Sequence, residues 1–239
     1  LYRTMWRPKD SDHFYKTRPL FFAHRGAIHR KPENTINSFL TAVDAGLPAI
    51  EMDVMSTKDG IVVCSHNFDL ERKTLGDGMI HELTFNDLKT QADEIPALEE
   101  VLRTIPEHII LNIEIKTRRL WDIKTTKETV RLIKKFNRTK TTILSSFNPL
   151  IILLAGILDR RIYTAFIVWD KKWMWLTDWI HPDLLHPEFG LVTTDLLRFA
   201  NNKNMRLNVW TVNSKPAIEL LKSIGIDGII TDRMTFCKS

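Results

Sequence analysis

The sequence predicts an α/β fold, a (β/α)8 barrel formed as one domain over residues 1–239, with a small insertion after the second strand at about 61–96. Three observations predict it. The chain of 239 residues suits one barrel, which commonly runs to about 250 residues. Short apolar runs alternate with segments of helical period, the pattern of a parallel sheet. Finally, histidines and carboxylates stand at the ends of several runs, where a barrel opens its mouth.

The elements follow in order. Leu20-Phe21-Phe22-Ala23 is a strand that stops at His24-Arg25-Gly26. Asn34 or Thr35 caps a helix carried by Ile36, Phe39, Leu40 and Val43 and closed by Gly46. Ala49 to Met55 and Ile61 to Ser65 are strand-like, and Ala97 to Ile105 is an amphipathic helix. Ile109 to Ile115, Thr142 to Phe147, Ile162 to Val168, Leu184 to His186, Arg206 to Val212 and Gly228 to Thr231 supply further strands. The helices between them are Thr125 to Phe136, Leu150 to Leu158, Thr193 to Asn202 and Ala217 to Ile224. Eight principal strands result, with Ile61 to Ser65 counted in the insertion. An open doubly wound sheet is the competing architecture, but no glycine-rich phosphate fingerprint follows the first strand.

A hydrophobic fraction of 44% and a charged fraction of 26% exclude a disordered or fibrous chain. The net charge of +5 favours anionic partners. Basic residues run only in pairs such as Lys134-Lys135 and Lys171-Lys172, so no nucleic-acid stripe is expected. Cys64 reads as inert packing; a bridge to Cys237 is the less favoured alternative, and the redox compartment stays open. No apolar run is long enough to span a bilayer. The chain starts at Leu1 rather than Met, which leaves room for a preceding signal or anchor and leaves localisation open.

Residues two apart on a strand point the same way, so Glu51 and Asp53 aim together into the mouth while Met52 and Val54 pack outward. The next barrel strand repeats the device with Asn112, Glu114 and Lys116 inside. Inward carboxylates are costly unless paired or metal-bound. Glu51, Asp53 and Glu114 therefore make a candidate hard-oxygen site for one divalent cation, magnesium or calcium. The bland alternative pairs Glu114 with Lys116 or Arg25 and leaves Glu51 and Asp53 solvated. His24 and His66 stand at strand ends and supply a base and an acid, as phosphodiester cleavage requires. Arg25 and Lys116 bring fixed positive charge for phosphate oxygens.

The motifs His24-Arg25-Gly26, Pro32-Glu33-Asn34-Thr35, Glu51-Met52-Asp53-Val54, Thr57-Lys58-Asp59-Gly60, His66, Glu114-Ile115-Lys116, Trp210-Thr211-Val212-Asn213 and Asp227 to Asp232 occur in this order. Together they resemble the glycerophosphodiester phosphodiesterase family over Phe21 to Asp232. The resemblance implies a TIM barrel with Glu51, Asp53 and Glu114 as ligands of magnesium or calcium and His24 and His66 as the acid–base pair. It implies that a substrate hydroxyl attacks first, giving a cyclic phosphate that water opens. One departure stands out: Asn67 replaces the aspartate that usually follows the second histidine, which should modulate rate rather than abolish activity.

The expected reaction is hydrolysis of glycerophosphodiesters to glycerol 3-phosphate and an alcohol. A lysophospholipase D-like action on lysophospholipid head groups is the alternative, and a catalytically inactive scaffold barrel is the rival of another class. The insertion from Asn67 to about Pro96 looks short for the family, which should open the mouth to bulkier substrates. Phe166, Trp169, Trp173, Trp175, Leu176, Trp179 and Ile180, interleaved with Lys171 and Lys172, are read as a helix face packed on the barrel, slightly ahead of peripheral membrane contact. Trp210 is a candidate to pack on the glycerol. The oligomeric state is left open.

Overall fold

The computed structural model describes residues 5–121 and 123–236. Among them nine strands form one sheet: β1 (Leu20–His24), β2 (Ala49–Ser56), β3 (Val62–Cys64), β4 (Ile110–Ile115), β5 (Thr142–Ser146), β6 (Tyr163–Val168), β7 (Leu184–Pro187), β8 (Arg206–Val209) and β9 (Gly228–Thr231). All except β3 are parallel neighbours in a ring, and pairing of β1 with both β2 and β9 closes it. The fold is a TIM barrel.

The outward faces of β2 and β4 account for its outer layer. Met52, Val54, Ile113 and Ile115 are fully buried against Phe39, Leu98, Val101 and Ile133 of the surrounding helices. Burying each such side chain contributes about 1.5–3 kcal/mol. Inside, Leu20, Phe22, Ala49, Ile143, Ala165 and Leu184 plug the barrel near the strand starts, with Phe14 and Tyr15 of the lead-in packed onto them. The charged side chains of β2 and β4 lie toward the other end. There the register sets Glu51 beside Asn112 and Asp53 beside Glu114.

The segment Ile61 to Ser65 departs from the simple alternation. Its strand is shorter, Val62–Cys64, and runs antiparallel to β2, so it lies outside the barrel ring. With the helix Phe85–Gln91 it builds a satellite unit whose own core holds Met55, Val63, Leu70, Ile80, Leu88 and Ile95. Near the other end of the chain, β8 stops at Val209 rather than at Val212. Trp210 follows it and bridges Glu188.

The aromatic segment after β6 is a 3-10 turn, Lys171–Leu176, followed by a single helical turn, Thr177–Ile180. It does not pack all its rings inward: Trp169, Trp175 and Trp179 are exposed while Trp173 and Leu176 are half-buried against the barrel. Cys64 is a buried free thiol, and burial pushes its pKa well up; Cys237 lies outside the described residues. No described helix is long and apolar enough to cross a membrane.

Candidate active site

Each turn at the mouth has a local physical reason. At the end of β1, Arg25 takes a left-handed conformation, φ 55°. That twist turns its backbone N–H toward Glu51 Oε2, 2.9 Å away. Its carbonyl then accepts from the Asn34 N–H at 3.0 Å. Gly26 follows at φ 87° against Ser38, where a Cβ would come within 2.9 Å of backbone, so glycine alone fits. Asn34, also left-handed, clamps Asp53 from two sides: its Nδ2 donates to Oδ2 at 3.0 Å and its Oδ1 accepts from the Asp53 N–H at 3.0 Å. Thr35 caps the following helix, Ile36–Asp44, by accepting from the Ser38 N–H.

These turns hold Glu51, Asp53 and Glu114 so that one oxygen from each lies within 4.8 Å of the others. All three are buried, which removes the reading of solvated strand-end acids. Two cations enter the cluster. Arg25 Nε stands 3.1 Å from Asp53 Oδ2, and Lys116 Nζ stands 3.0 Å from Asp53 Oδ1 and 2.5 Å from Glu114 Oε1. Burial alone would raise the Asp53 carboxyl, but Lys116 and Arg25 outweigh it and hold the group well below the usual carboxylate range. Burial and the neighbouring Asp53 push Glu51 up to about 8. Burial also raises Glu114.

The cluster remains under-neutralised. Asp53 Oδ1 and Glu114 Oε1 are buried and, despite their close cations, lack an aligned hydrogen-bond donor. Three converging carboxylates, two of them with a buried oxygen short of a donor, are a fit for magnesium or calcium, which take all-oxygen shells.

The two histidines differ. His24 Nδ1 lies 2.7 Å from Asp232 Oδ1, which leaves Nε2 facing Glu51 at 3.9 Å. Burial works against the charged ring, but Asp232 and Glu51 outweigh it and raise its proton affinity. Asp232 is itself fixed by Asn213, whose Oδ1 accepts from the Asp232 N–H at 2.9 Å. His66 hangs from the satellite unit just beyond β3, with Nδ1 3.2 Å from Asn67 Oδ1. Its proton affinity falls, through burial first and then the nearby Lys116 and Arg25, against the opposing pull of Asp53.

A cavity of about 120 Å³ is bordered by His24, Arg25, Glu51, His66, Glu114, Lys116 and Trp210. Asp53 joins them through the carboxylate cluster, so all eight residues singled out in the sequence meet at one mouth. Trp210 donates its indole N–H to the His186 carbonyl at 2.7 Å and packs edge-on to Phe147. Four contributors escaped sequence reasoning. Asp232, which sits in a quoted motif without a role read for it, orients His24; Asn34, read as an alternative helix cap to Thr35, clamps Asp53 instead. Phe147 and His186 border the cavity and carried no signal of their own beyond lying at strand ends.

Fold and site define a (β/α)8-barrel enzyme whose charged and titratable groups gather at the mouth. The sequence pattern of the glycerophosphoryl diester phosphodiesterase family matches residues 24–235, and the chain belongs to that family of enzymes. A glycerophosphodiester phosphodiesterase of Caldanaerobacter subterraneus subsp. tengcongensis is 30% identical over 230 residues, covering 89% of this chain and 93% of its own. The crystal structure of the Thermotoga maritima glycerophosphodiester phosphodiesterase aligns with a TM-score of 0.80 at 27% identity, covering 93% of this chain and 98% of that one. An Oleispira antarctica phosphodiesterase, solved in complex with its product sn-glycerol-3-phosphate, shares the fold with a TM-score of 0.84 at 24% identity, over 95% and 97% of the two chains.

Proposed function

We propose that the protein hydrolyses glycerophosphodiesters to glycerol 3-phosphate and an alcohol, with a divalent cation at Glu51, Asp53 and Glu114 and with His24 and His66 as the acid–base pair. The observation that carries this reading is the shared mouth: a cluster of three buried carboxylates, two fixed cations and two histidines of unlike proton affinity adjoin one cavity. The Oleispira antarctica relative's product, sn-glycerol-3-phosphate, supports the same reaction here.

A bound magnesium or calcium ion would offset the buried carboxylates and polarise a phosphoryl oxygen. The remaining work falls to the chain. Arg25 and Lys116 bind the nonbridging phosphate oxygens and stabilise charge growing there. His66, on the satellite unit across the cavity, has the lower proton affinity and takes the proton of the attacking oxygen. His24, held by Asp232 with the higher proton affinity, gives its proton to the leaving alkoxide as the phosphorus–oxygen bond breaks. Trp210 packs on the apolar edge of the glycerol. A silent scaffold would have no need to keep these groups, and all of them are in place.

The test is release of glycerol 3-phosphate from glycerophosphocholine with magnesium, calcium or chelator. Activity abolished by chelator, and reduced at least about a hundredfold in Glu51→Gln, is the expected result. Wild-type activity and unchanged metal dependence in Glu51→Gln would remove the ligand assignment.

A further inference from the structure

The segments that follow β4 and β6 stand side by side on the rim of the mouth. Arg118, Arg119 and Leu120 of the first border one groove together with Trp169 and Trp173 of the second. Both segments carry large apolar side chains outward. Leu120 and Trp121 leave 63% and 73% of their surface in solvent, and Ile123, Trp169 and Trp175 are exposed as well. One exposed leucine needs no explanation, but five large apolar groups on two adjoining segments mark a surface that something covers.

The charge around these groups is mostly positive. Arg119, Lys124 and Lys171 are exposed and have no carboxylate partner among the described residues. Arg118 meets His81 Nε2 at 2.7 Å rather than an acid; Lys172 is the exception, paired to Asp170 at 2.9 Å. A second groove, of about 770 Å³, runs from the same two arginines past Lys58, Trp121 and Lys124, and Glu82 is the only acid on its walls among the described residues. Tryptophan and leucine interleaved with uncompensated cations complement a surface that is anionic at its skin and apolar beneath, where indole rings settle at headgroup level and basic side chains reach lipid phosphates. A second copy of the chain is a poorer match, because a two-fold contact through this patch would set like charges against each other.

We propose that this rim docks on an anionic lipid bilayer, with Leu120, Trp121 and Trp169 entering the headgroup region and Arg119, Lys124 and Lys171 lying on lipid phosphates. The segment after β4 begins at Lys116, which borders the catalytic cavity. Docking therefore holds the mouth against the bilayer while the strand starts face away from it.

The experiment is flotation of the protein with vesicles of phosphatidylcholine, with and without phosphatidylglycerol, at about 0.1 M salt. Binding should be at least about tenfold tighter to the anionic vesicles. Arg119→Gln with Lys124→Gln should weaken it on the order of twentyfold, at about fivefold per charge. Leu120→Ser with Trp121→Ser should weaken it at least about tenfold and leave Tm unchanged, since both side chains are mostly in solvent. Lys140→Gln with Arg160→Gln removes the same charge from exposed positions ahead of β5 and β6, at the opposite end of the barrel. That pair should leave binding within about twofold. Binding is read without turnover, so failure here leaves the phosphodiesterase reading standing. No binding to anionic vesicles, equal binding to neutral ones, or an equal loss in the two glutamine pairs would overturn the proposal. So would a dimer in sedimentation that the serine pair dissociates, with no vesicle binding by the wild type.

Discussion

Removing divalent cations and then raising the pH tests how the carboxylate cluster is held. Burial and the charge of Asp53 raise the Glu51 carboxyl from 4.5 to about 8. A carboxyl with a higher pKa folded than unfolded binds more protons in the folded state between those values, so stability is lost as pH climbs from about 4.5 through about 8. Glu114, raised by burial, acts in the same sense, and so does His24, raised by Asp232 and Glu51 against burial. Asp53 does not offset this, because it is held well below the usual range and contributes at full strength throughout that window.

At about 1.36 kcal/mol per pH unit, the Glu51 contribution has a ceiling of about 5 kcal/mol. A cation at the cluster binds the ionised form and restores what is lost; at about a hundred times its dissociation constant it stabilises by about 2.7 kcal/mol. For a chain of this length that corresponds to a rise in Tm of roughly 5–10 °C. Melting followed by near-ultraviolet circular dichroism, with chelator or with magnesium or calcium, at about pH 5 and about pH 8.5, measures the effect. The cation-induced rise in Tm should be larger at the alkaline value and should shrink in Glu51→Gln. An equal rise at both pH values, or one unaffected by Glu51→Gln, would refute the reasoning.

Three further outcomes follow from named contacts. Asp232→Asn removes the main support of the His24 proton affinity, so the alkaline limb of the pH–kcat/KM profile should move to lower pH. That limb marks the group of higher pKa whichever histidine is base. Asn67→Asp places a carboxylate where an amide now stands 3.2 Å from His66; it should carry the acidic limb to higher pH and change the maximal rate by less than about tenfold. A profile in which neither limb moves would take both histidines out of the acid–base role. Gly228→Ala would set a Cβ 2.0 Å from Asn208 Oδ1 and 3.2 Å from the Phe22 ring. Asn208 is buried and held by the Tyr15 hydroxyl at 2.8 Å, so Tm should fall by roughly 3–10 °C, and an unchanged melting curve would contradict the packing described.

The barrel and most of its mouth were legible because they rest on local periodicity. The i, i+2 alternation in Glu51 and Asp53, and again in Asn112, Glu114 and Lys116, places charges inside and aliphatics outside without reference to any distant residue. The antiparallel sense of Val62–Cys64 was not legible, since a short apolar strand has the same pattern in either direction. Asp232 was missed as the partner of His24 because the two are 208 residues apart, and only barrel closure brings β9 beside β1. The aromatic segment after β6 was misjudged for another reason. Its tryptophans do not fall on one helical face, because most of the segment winds as a 3-10 turn, which sets side chains three residues apart in line.

The two halves of the mouth stand on separate foundations. His24, Arg25 and the three carboxylates are carried by the closed ring of strands, whereas His66 belongs to the satellite unit with its own small core beside β2. Such a unit can open at a lower free energy than the ring that bears it. An opened satellite would leave cation capture intact and proton transfer at His66 switched off, so hydrogen exchange across residues 62–95 would report on catalytic readiness while the barrel strands stayed protected. Ion binding and turnover would then be separable in one chain, set by the hold of a few aliphatic side chains, Leu70, Ile80 and Leu88 among them.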